Sequence, residues 1–286
     1  MDFSALQDCN YAVIGDPVAH SVSPVMQNAA FAKLGLGAPY GKIRIAADEL
    51  PIFAEYARRN LKGFNITVPH KQAIIPFLDE IAPEAALAHS VNTVTVRDGK
   101  LFGTSTDGYG LATALHEAFG VDLPGLHVCF IGCGAAVQAT AFYFAAAGAA
   151  QLCFINRTVS KAEALATEVT RHYPVKTFCC ATDDDAAIAD CFRSSKVIVQ
   201  GSSLGLKPED PCPIAPTLLT GKLCCYETIY KNTAFLRHAE ENGLKTADGR
   251  TMLLHQGAKS FEIWTGVRPD IDAMRQALNQ ALNCIK

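Results

Sequence analysis

His127-Val128-Cys129-Phe130-Ile131 followed by Gly132-Cys133-Gly134-Ala135-Ala136 decides the fold. The first five residues are an almost wholly apolar run of strand length, and the residues after the glycines suit a buried helix. Strand, glycine turn and helix in that order form the context of a dinucleotide-binding turn. Glycines let backbone amides approach a pyrophosphate at a helix N-terminus, where the dipole favours negative charge. The third glycine of the usual fingerprint is absent, and a tight strand-to-helix connection uses the same glycines, so this motif alone leaves both readings open.

From Leu123 to Asn156 no formally charged residue occurs. Gly132, Gly134, Gln138, Thr140, Gly148 and Gln151 interrupt the stretch and its apolar period changes midway, which favours a buried helix between two buried strands over a membrane span. The second strand (152–155) ends in Asn156-Arg157-Thr158 with Lys161 nearby, where NAD-binding folds place an acid on the ribose hydroxyls. A guanidinium and a hydroxyl welcome a 2′-phosphate instead, so NADP is expected over NAD. The alternative is a helix capped by Thr158 or Ser160 with Arg157 as a solvated charge. Strands at 197–200 and 223–226, with helices at 160–172 and 232–242, continue an alternation that implies a mostly parallel sheet covered on both faces.

The same alternation precedes it. Strands are expected at 11–14 and 43–45, helices at 23–34 and 48–59, and a strand through Phe64, Ile66 and Val68 that Pro69 stops. Residues 94–97 and 100–103 flank Asp98-Gly99, a dipeptide suited to a two-residue hairpin turn. The fold class is therefore α/β with two domains. One spans 1–107, with helices of 249–286 returning to it; the other, Rossmann-type and doubly wound, spans 108–248.

With 286 residues, 28 acidic against 25 basic, the chain carries a net charge of −3 and lacks the electrostatic footprint of a nucleic-acid or membrane-surface protein. A small-molecule partner is expected. The eleven cysteines are odd in number and scattered, with adjacent pairs at 179–180 and 224–225, and no zinc spacing occurs. A reduced, cytoplasmic chain with no metal site and no secretory signal is the expectation, as monomer or homodimer.

Three further stretches carry chemistry. In His20-Ser21-Val22-Ser23-Pro24, Pro24 suits a first helical position and Ser23 its cap, and two hydroxyls beside free amides suit a carboxylate; a plain cap reads the same way. In Asn65-Ile66-Thr67-Val68-Pro69-His70-Lys71, Asn65 and Thr67 share one strand face and Lys71 lies beyond its end, either in the ligand crevice or as an exposed charge. Counting outward from the hairpin turn sets Asn92 opposite Ser105, so that Asn92 and Asp107 converge at the open end; Asp107 also suits a helix cap. His20, His70 and His89 lack ligand-like spacing and read as packing or surface residues.

Together these motifs resemble those of the shikimate dehydrogenase family. They are S-x-S (Ser21, Ser23), N-x-T-x-P-x-K (Asn65 to Lys71), V-N-T (Asn92, Thr93), T-D-G (Thr106 to Gly108), the Gly132/Gly134 turn, N-R-T (Asn156 to Thr158), Tyr226 with Ile229-Tyr230, and G-x-x-M-L-x-x-Q (Gly249 to Gln256). The resemblance implies reversible NADPH-dependent reduction of 3-dehydroshikimate to shikimate, a step of chorismate and aromatic amino acid biosynthesis, in a cleft between the two domains. It implies Lys71 and Asp107 as catalytic pair, and Ser21, Ser23, Asn65, Thr67, Asn92, Tyr226 and Gln256 around the substrate. Gly132, Gly134, Ala135, Ala136, Asn156, Arg157, Thr158, Lys161, Ser202 and Gly249 would bind NADP(H). Ala135, His89-Ser90, the Gly201 to Leu206 loop and Glu227 depart from the family pattern, outside the catalytic pair. The alternatives are quinate or an aminoshikimate as substrate, and a non-catalytic metabolite or NADP sensor on the same fold.

Overall fold

The computed structural model describes residues 2–36 and 39–284; Met1, Gly37, Ala38, Ile285 and Lys286, which the expected domain spans include, lie outside the described residues. The chain divides into two compact units, Met1–Gly110 with Leu254–Lys286, and Leu111–Leu253.

The first unit runs β1 (Tyr11–Gly15), α1 (Ser23–Lys33), β2 (Tyr40–Arg44), α2 (Leu50–Asn60), β3 (Gly63–Ile66), α3 (His70–Ala73), β4 (Glu80–Ile81), α4 (Pro83–Leu87), β5 (Thr93–Arg97) and β6 (Lys100–Thr104), and enters α5 (Asp107–Phe119). Its sheet has the order β2-β1-β3-β5-β6-β4. β1 pairs in parallel with β2 and β3, while β3, β5 and β6 run antiparallel in turn. Arg97 pairs with Lys100, and Asp98 and Gly99 both take positive φ (51° and 70°), the backbone that a primed two-residue turn demands. Phe53 of α2, packed edge-on to Phe64 of β3, centres a core with Ile14, Ile66, Val94 and Leu101. α2 starts two residues later than expected, because 47–49 form a 3₁₀ turn whose Glu49 carboxylate accepts from the Ala46 amide.

The second unit contains β7 (His127–Ile131), α6 (Ala135–Ala146), β8 (Gln151–Ile155), α7 (Val159–His172), β9 (Lys176–Cys180), α8 (Asp185–Ser194), β10 (Val197–Gln200), β11 (Cys224–Glu227), α9 (Ala234–Glu241) and β12 (Lys245–Ala247). Its six strands are all parallel, in the order β12-β11-β10-β7-β8-β9. The chain moves from β7 outward through β8 and β9, then returns to β10 on the other side. The topological switch thus lies between β7 and β10, where doubly wound sheets bind ligands. The uncharged stretch 123–156 is the β7-α6-β8 unit, and among the described residues no helix is long and apolar enough to cross a membrane.

α10 (Arg250–Thr265) and α11 (Ile271–Asn283) complete the chain. α11 packs on α1, and Trp264 of α10 donates to the Val94 carbonyl at 3.0 Å while covering Gly63, where no side chain would fit.

Candidate functional site

In the first unit the end of the sheet that carries the carboxyl ends of β1, β3 and β6 also carries the start of β5. Ile14 stands beside Ile66 and Asn65 beside Thr93, so the loops holding Ser21, Ser23, Thr67, Lys71, Asn92 and Asp107 emerge together. Lys71, on the short α3, donates to Asp107 Oδ2 at 2.6 Å, and both side chains are largely withdrawn from solvent (13% and 5% exposed). Asp107 opens α5, where the helix dipole favours a carboxylate. Asn92 Nδ2 donates to its other oxygen at 2.8 Å and to Gln256 Oε1 of α10 at 3.2 Å.

Asn92 is itself held. Its Oδ1 accepts from the Thr106 amide and from Thr93 Oγ1, both at 2.9 Å. Asn65, also buried, donates to the Asn92 carbonyl, Thr93 Oγ1 and Ser260 Oγ, each at 3.0 Å, and accepts from the Tyr40 hydroxyl at 2.7 Å. Its amide is thus engaged at both ends within the protein, tying β3 to β2, β5 and α10 next to Asn92, whose own side chain holds Asp107. The loop carrying Lys71 is anchored by its neighbour His70, buried, whose Nε2 donates to the Ile45 carbonyl at 2.6 Å.

α1 begins at Ser23 itself, with Val22 as cap, so Ser23 is not the N-cap expected for it and no side chain caps that end. The Ser23 amide points to Ser21 Oγ at 3.4 Å. Lys42 donates to the Ala19 and Ser21 carbonyls and so pins the same loop. Thr67 lies just past β3, against Gly15: a Cβ there would fall 2.5 Å from its methyl group.

In the second unit Gly132, with φ +96°, lies so close to the 200–206 loop that a Cβ would sit 2.9 Å from Ser202 N and Cα. Gly134 caps α6, and the space where its Cβ would project is open, so backbone amides at the start of α6 are approachable over the small side chains of Ala135 and Ala136. Burial pushes the Cys133 thiol between the glycines up to about 12, so it adds no negative charge there. At the end of β8, Asn156 Nδ2 donates to the Thr158 carbonyl at 2.8 Å. Thr158 caps α7 by position with its hydroxyl uncommitted, and Arg157 and Lys161 are exposed without an ion pair among the described residues. A shallow glycine cradle followed by free cations fits a phosphorylated dinucleotide.

Two expected site residues are tightly packed where they stand. Tyr226 is 0% exposed; its hydroxyl accepts from the Met252 amide and pairs with Thr251 Oγ1, both at 3.0 Å, and burial raises its pKa. It secures the start of α10, and the half-buried phenol of that segment is Tyr230. Gly249 presses on the Thr228 carbonyl, which excludes any side chain. Residues missed from sequence are Tyr40, Thr93 and Ser260. For Ser260 a signal existed: it lies one helical turn after Gln256, on the same face of α10. Cys129, Cys153 and Cys191, with Sγ atoms within 4.8 Å of one another, are the trio whose side chains could hold a metal among the described residues. They lie inside the apolar core of the second unit.

The chain matches family models described as shikimate dehydrogenase substrate binding domain over residues 13–94, shikimate/quinate 5-dehydrogenase over 113–202, and shikimate 5′-dehydrogenase C-terminal domain over 249–278. It is 38% identical to the shikimate dehydrogenase (NADP(+)) of Symbiobacterium thermophilum, across 94% of this chain and 93% of that one. The Thermus thermophilus shikimate 5-dehydrogenase, solved in complex with NADP(H) and shikimate, superposes with a TM-score of 0.85 at 34% identity over 96% of this chain and 99% of that one. The Listeria monocytogenes enzyme, with shikimate and NAD, gives 0.88 at 32% over 97% and 99%. A buried lysine–aspartate pair on one unit, a glycine cradle on the other and likeness along nearly the whole length lead to one conclusion: this chain belongs to the shikimate dehydrogenase family.

Proposed function

We propose that the protein catalyses the reversible NADPH-dependent reduction of 3-dehydroshikimate to shikimate, as an oxidoreductase acting on a CH–OH group. The observation that carries this reading is the 2.6 Å Lys71–Asp107 pair, withdrawn from solvent and braced by Asn92. When bound, the dinucleotide supplies the hydride that the C3 carbonyl carbon accepts. Gly132, Gly134, Ala135 and Ala136 would hold its pyrophosphate through backbone amides. Asn156, Arg157, Thr158 and Lys161 would take its ribose and 2′-phosphate, and Ser202 would help hold the rest of the dinucleotide.

Lys71 holds a proton at Nζ and passes it to the carbonyl oxygen as charge develops there. Asp107 keeps the ammonium aimed, so that the transfer needs no search over lysine rotamers. In the oxidative direction neutral Lys71 takes the hydroxyl proton. Ser21 and Ser23 receive the substrate carboxylate; Thr67, Asn92 and Gln256 take ring hydroxyls. Asn65 acts through its bonds to β5. The eleven free cysteines support a reducing, cytoplasmic setting, with the enzyme as monomer or homodimer.

Following NADPH absorbance while crossing shikimate and quinate with NADP and NAD tests the reading. Shikimate with NADP should give the highest kcat/KM. Preference for quinate overturns the substrate assignment, and absence of turnover with every pair leaves the sensor in its place.

A further inference from the structure

Glu227 ends β11 wholly out of solvent, and among the described residues it has no ion pair. Its oxygens meet donors: the Ile229 amide at 3.0 Å on Oε1, and Thr233 Oγ1 at 2.8 Å with Gln200 Nε2 at 3.4 Å on Oε2. Gln200, equally buried, also donates to the Leu204 carbonyl at 2.7 Å, and its Oε1 accepts from the Ser202 amide at 2.7 Å. Ser202 Oγ accepts from the Leu204 amide at 3.2 Å, and the Ser202 backbone is the surface that crowds Gly132. Farther along, Gly205 seats on Thr233, where a Cβ would lie 2.6 Å from the methyl group. One carboxylate therefore reaches the loop through Gln200 at one end and Thr233 at the other, and the reaction derived above uses neither Glu227, Gln200 nor Thr233.

We propose that Glu227 is a positioning residue of the dinucleotide site: through Gln200 it fixes the Gly201–Leu206 loop against the Gly132 turn, and it relaxes that hold on taking up a proton. This rests on the cofactor reading given above. Burial outweighs the donors and holds the Glu227 carboxyl at about 7, so its charge changes near neutrality. A proton on Oε2 faces two donors. Thr233 can turn its hydroxyl to accept it, whereas the Gln200 amide loses its acceptor. Charged groups on the flanking loop, turn and helix are engaged there: Asp210 accepts from the Gly205 and Lys207 amides, Lys231 donates to the Leu206 carbonyl, and Arg237 donates to the Asn232 carbonyl. The Cys212 thiol, raised by burial and then by Glu227, stays neutral, as does the Tyr226 phenol.

NADPH fluorescence titration without substrate, at pH 6 and pH 8, on the wild-type chain, Glu227→Gln, Gln200→Met and the double variant, tests this. From pH 8 to 6 the wild-type affinity should fall about 5- to 10-fold more than that of Glu227→Gln; protonation of the 2′-phosphate affects both alike and cancels. Glu227→Gln places an amide donor where Oε2 accepts, so at pH 8 it should bind as the acidified wild type does. Gln200→Met should match it, with no further loss in the double variant. Amide exchange across 200–206, read without ligand, should quicken in each variant. Should Glu227→Gln fail to fold, Gln200→Met carries the same test, since the pH dependence should vanish while Glu227 remains. Equal pH profiles in wild type and both variants, or single effects that multiply in the double, overturn the proposal alone. A wild-type chain that binds no NADPH overturns the cofactor reading, and the proposal with it.

Discussion

Lys71→Met and Asp107→Asn should both abolish most turnover yet differ in stability, and the structure sets the size of each effect. Either change removes a positioned proton donor or the group that aims it, so kcat should fall roughly 10²- to 10⁴-fold, about 2.7–5.4 kcal/mol of barrier. Stability is asymmetric. In Lys71→Met the Asp107 carboxylate keeps Asn92 Nδ2 at 2.8 Å and its place in the first turn of α5, and no ammonium is left to desolvate. The net loss should stay below about 2 kcal/mol. In Asp107→Asn a single amide oxygen faces two donors, Lys71 Nζ and Asn92 Nδ2. The amide carries no charge and its nitrogen is a donor, so the Lys71 ammonium, only 13% exposed, loses its counter-charge and one of the two carboxylate acceptors becomes a donor; the loss should approach about 3 kcal/mol. Steady-state kinetics at saturating NADPH and urea unfolding of each variant measure the two quantities. A Lys71→Met enzyme with wild-type kcat would refute the catalytic assignment. An Asp107→Asn chain as stable as Lys71→Met would refute the argument from counted donors.

Ser23→Ala should raise the KM for shikimate about tenfold and leave kcat nearly unchanged, because one hydrogen bond to a carboxylate is worth roughly 1.5 kcal/mol and acts before and during reaction alike; an unchanged KM removes Ser23 from the substrate site. Arg157→Ala should raise the KM for NADP about 10- to 100-fold while leaving that for NAD unaffected, since only the former carries a 2′-phosphate; equal effects on both would move Arg157 to another part of the dinucleotide. Burial holds Glu227 at about 7, above its ordinary 4.5, so between those values the folded chain keeps a proton that the unfolded chain has released, and stability falls as pH rises through that window. Acidifying from pH 8 to 6 should therefore add about 1 kcal/mol to the wild type, seen by urea unfolding, and the gain should be absent from Glu227→Gln, even as NADPH affinity moves the opposite way.

What could be read from the chain in advance was local. The Asp98-Gly99 turn carries its own backbone requirement, so pairing Arg97 with Lys100 follows, and counting out to Asn92 and Asp107 brings an amide and a carboxylate together, which the 2.8 Å bond confirms as geometry. The β7-α6-β8 unit was legible because its strands are buried on both faces and read as continuous apolar runs. β9 and β12 were not, because they lie at the edges of the sheet and are largely exposed or half-buried, which erases the apolar signal. The same limit governs the site. Asn65 matches a family motif and reads as a ligand, but what it does depends on Tyr40, Thr93 and Ser260, from three other elements. Tyr226 likewise reads as a contact until Met252 and Thr251 are seen to take its hydroxyl. Glu227 is the sharpest case. From the chain alone Glu227 is only a departure from the family pattern, and the closing of β10 and α9 around it makes it a carboxylate with donors and, among the described residues, no cation. Burial of that kind raises the energy of the charged form, so a chain that retains it needs the charge to hold something, and here the groups within reach are Gln200 and the loop that meets the glycine turn.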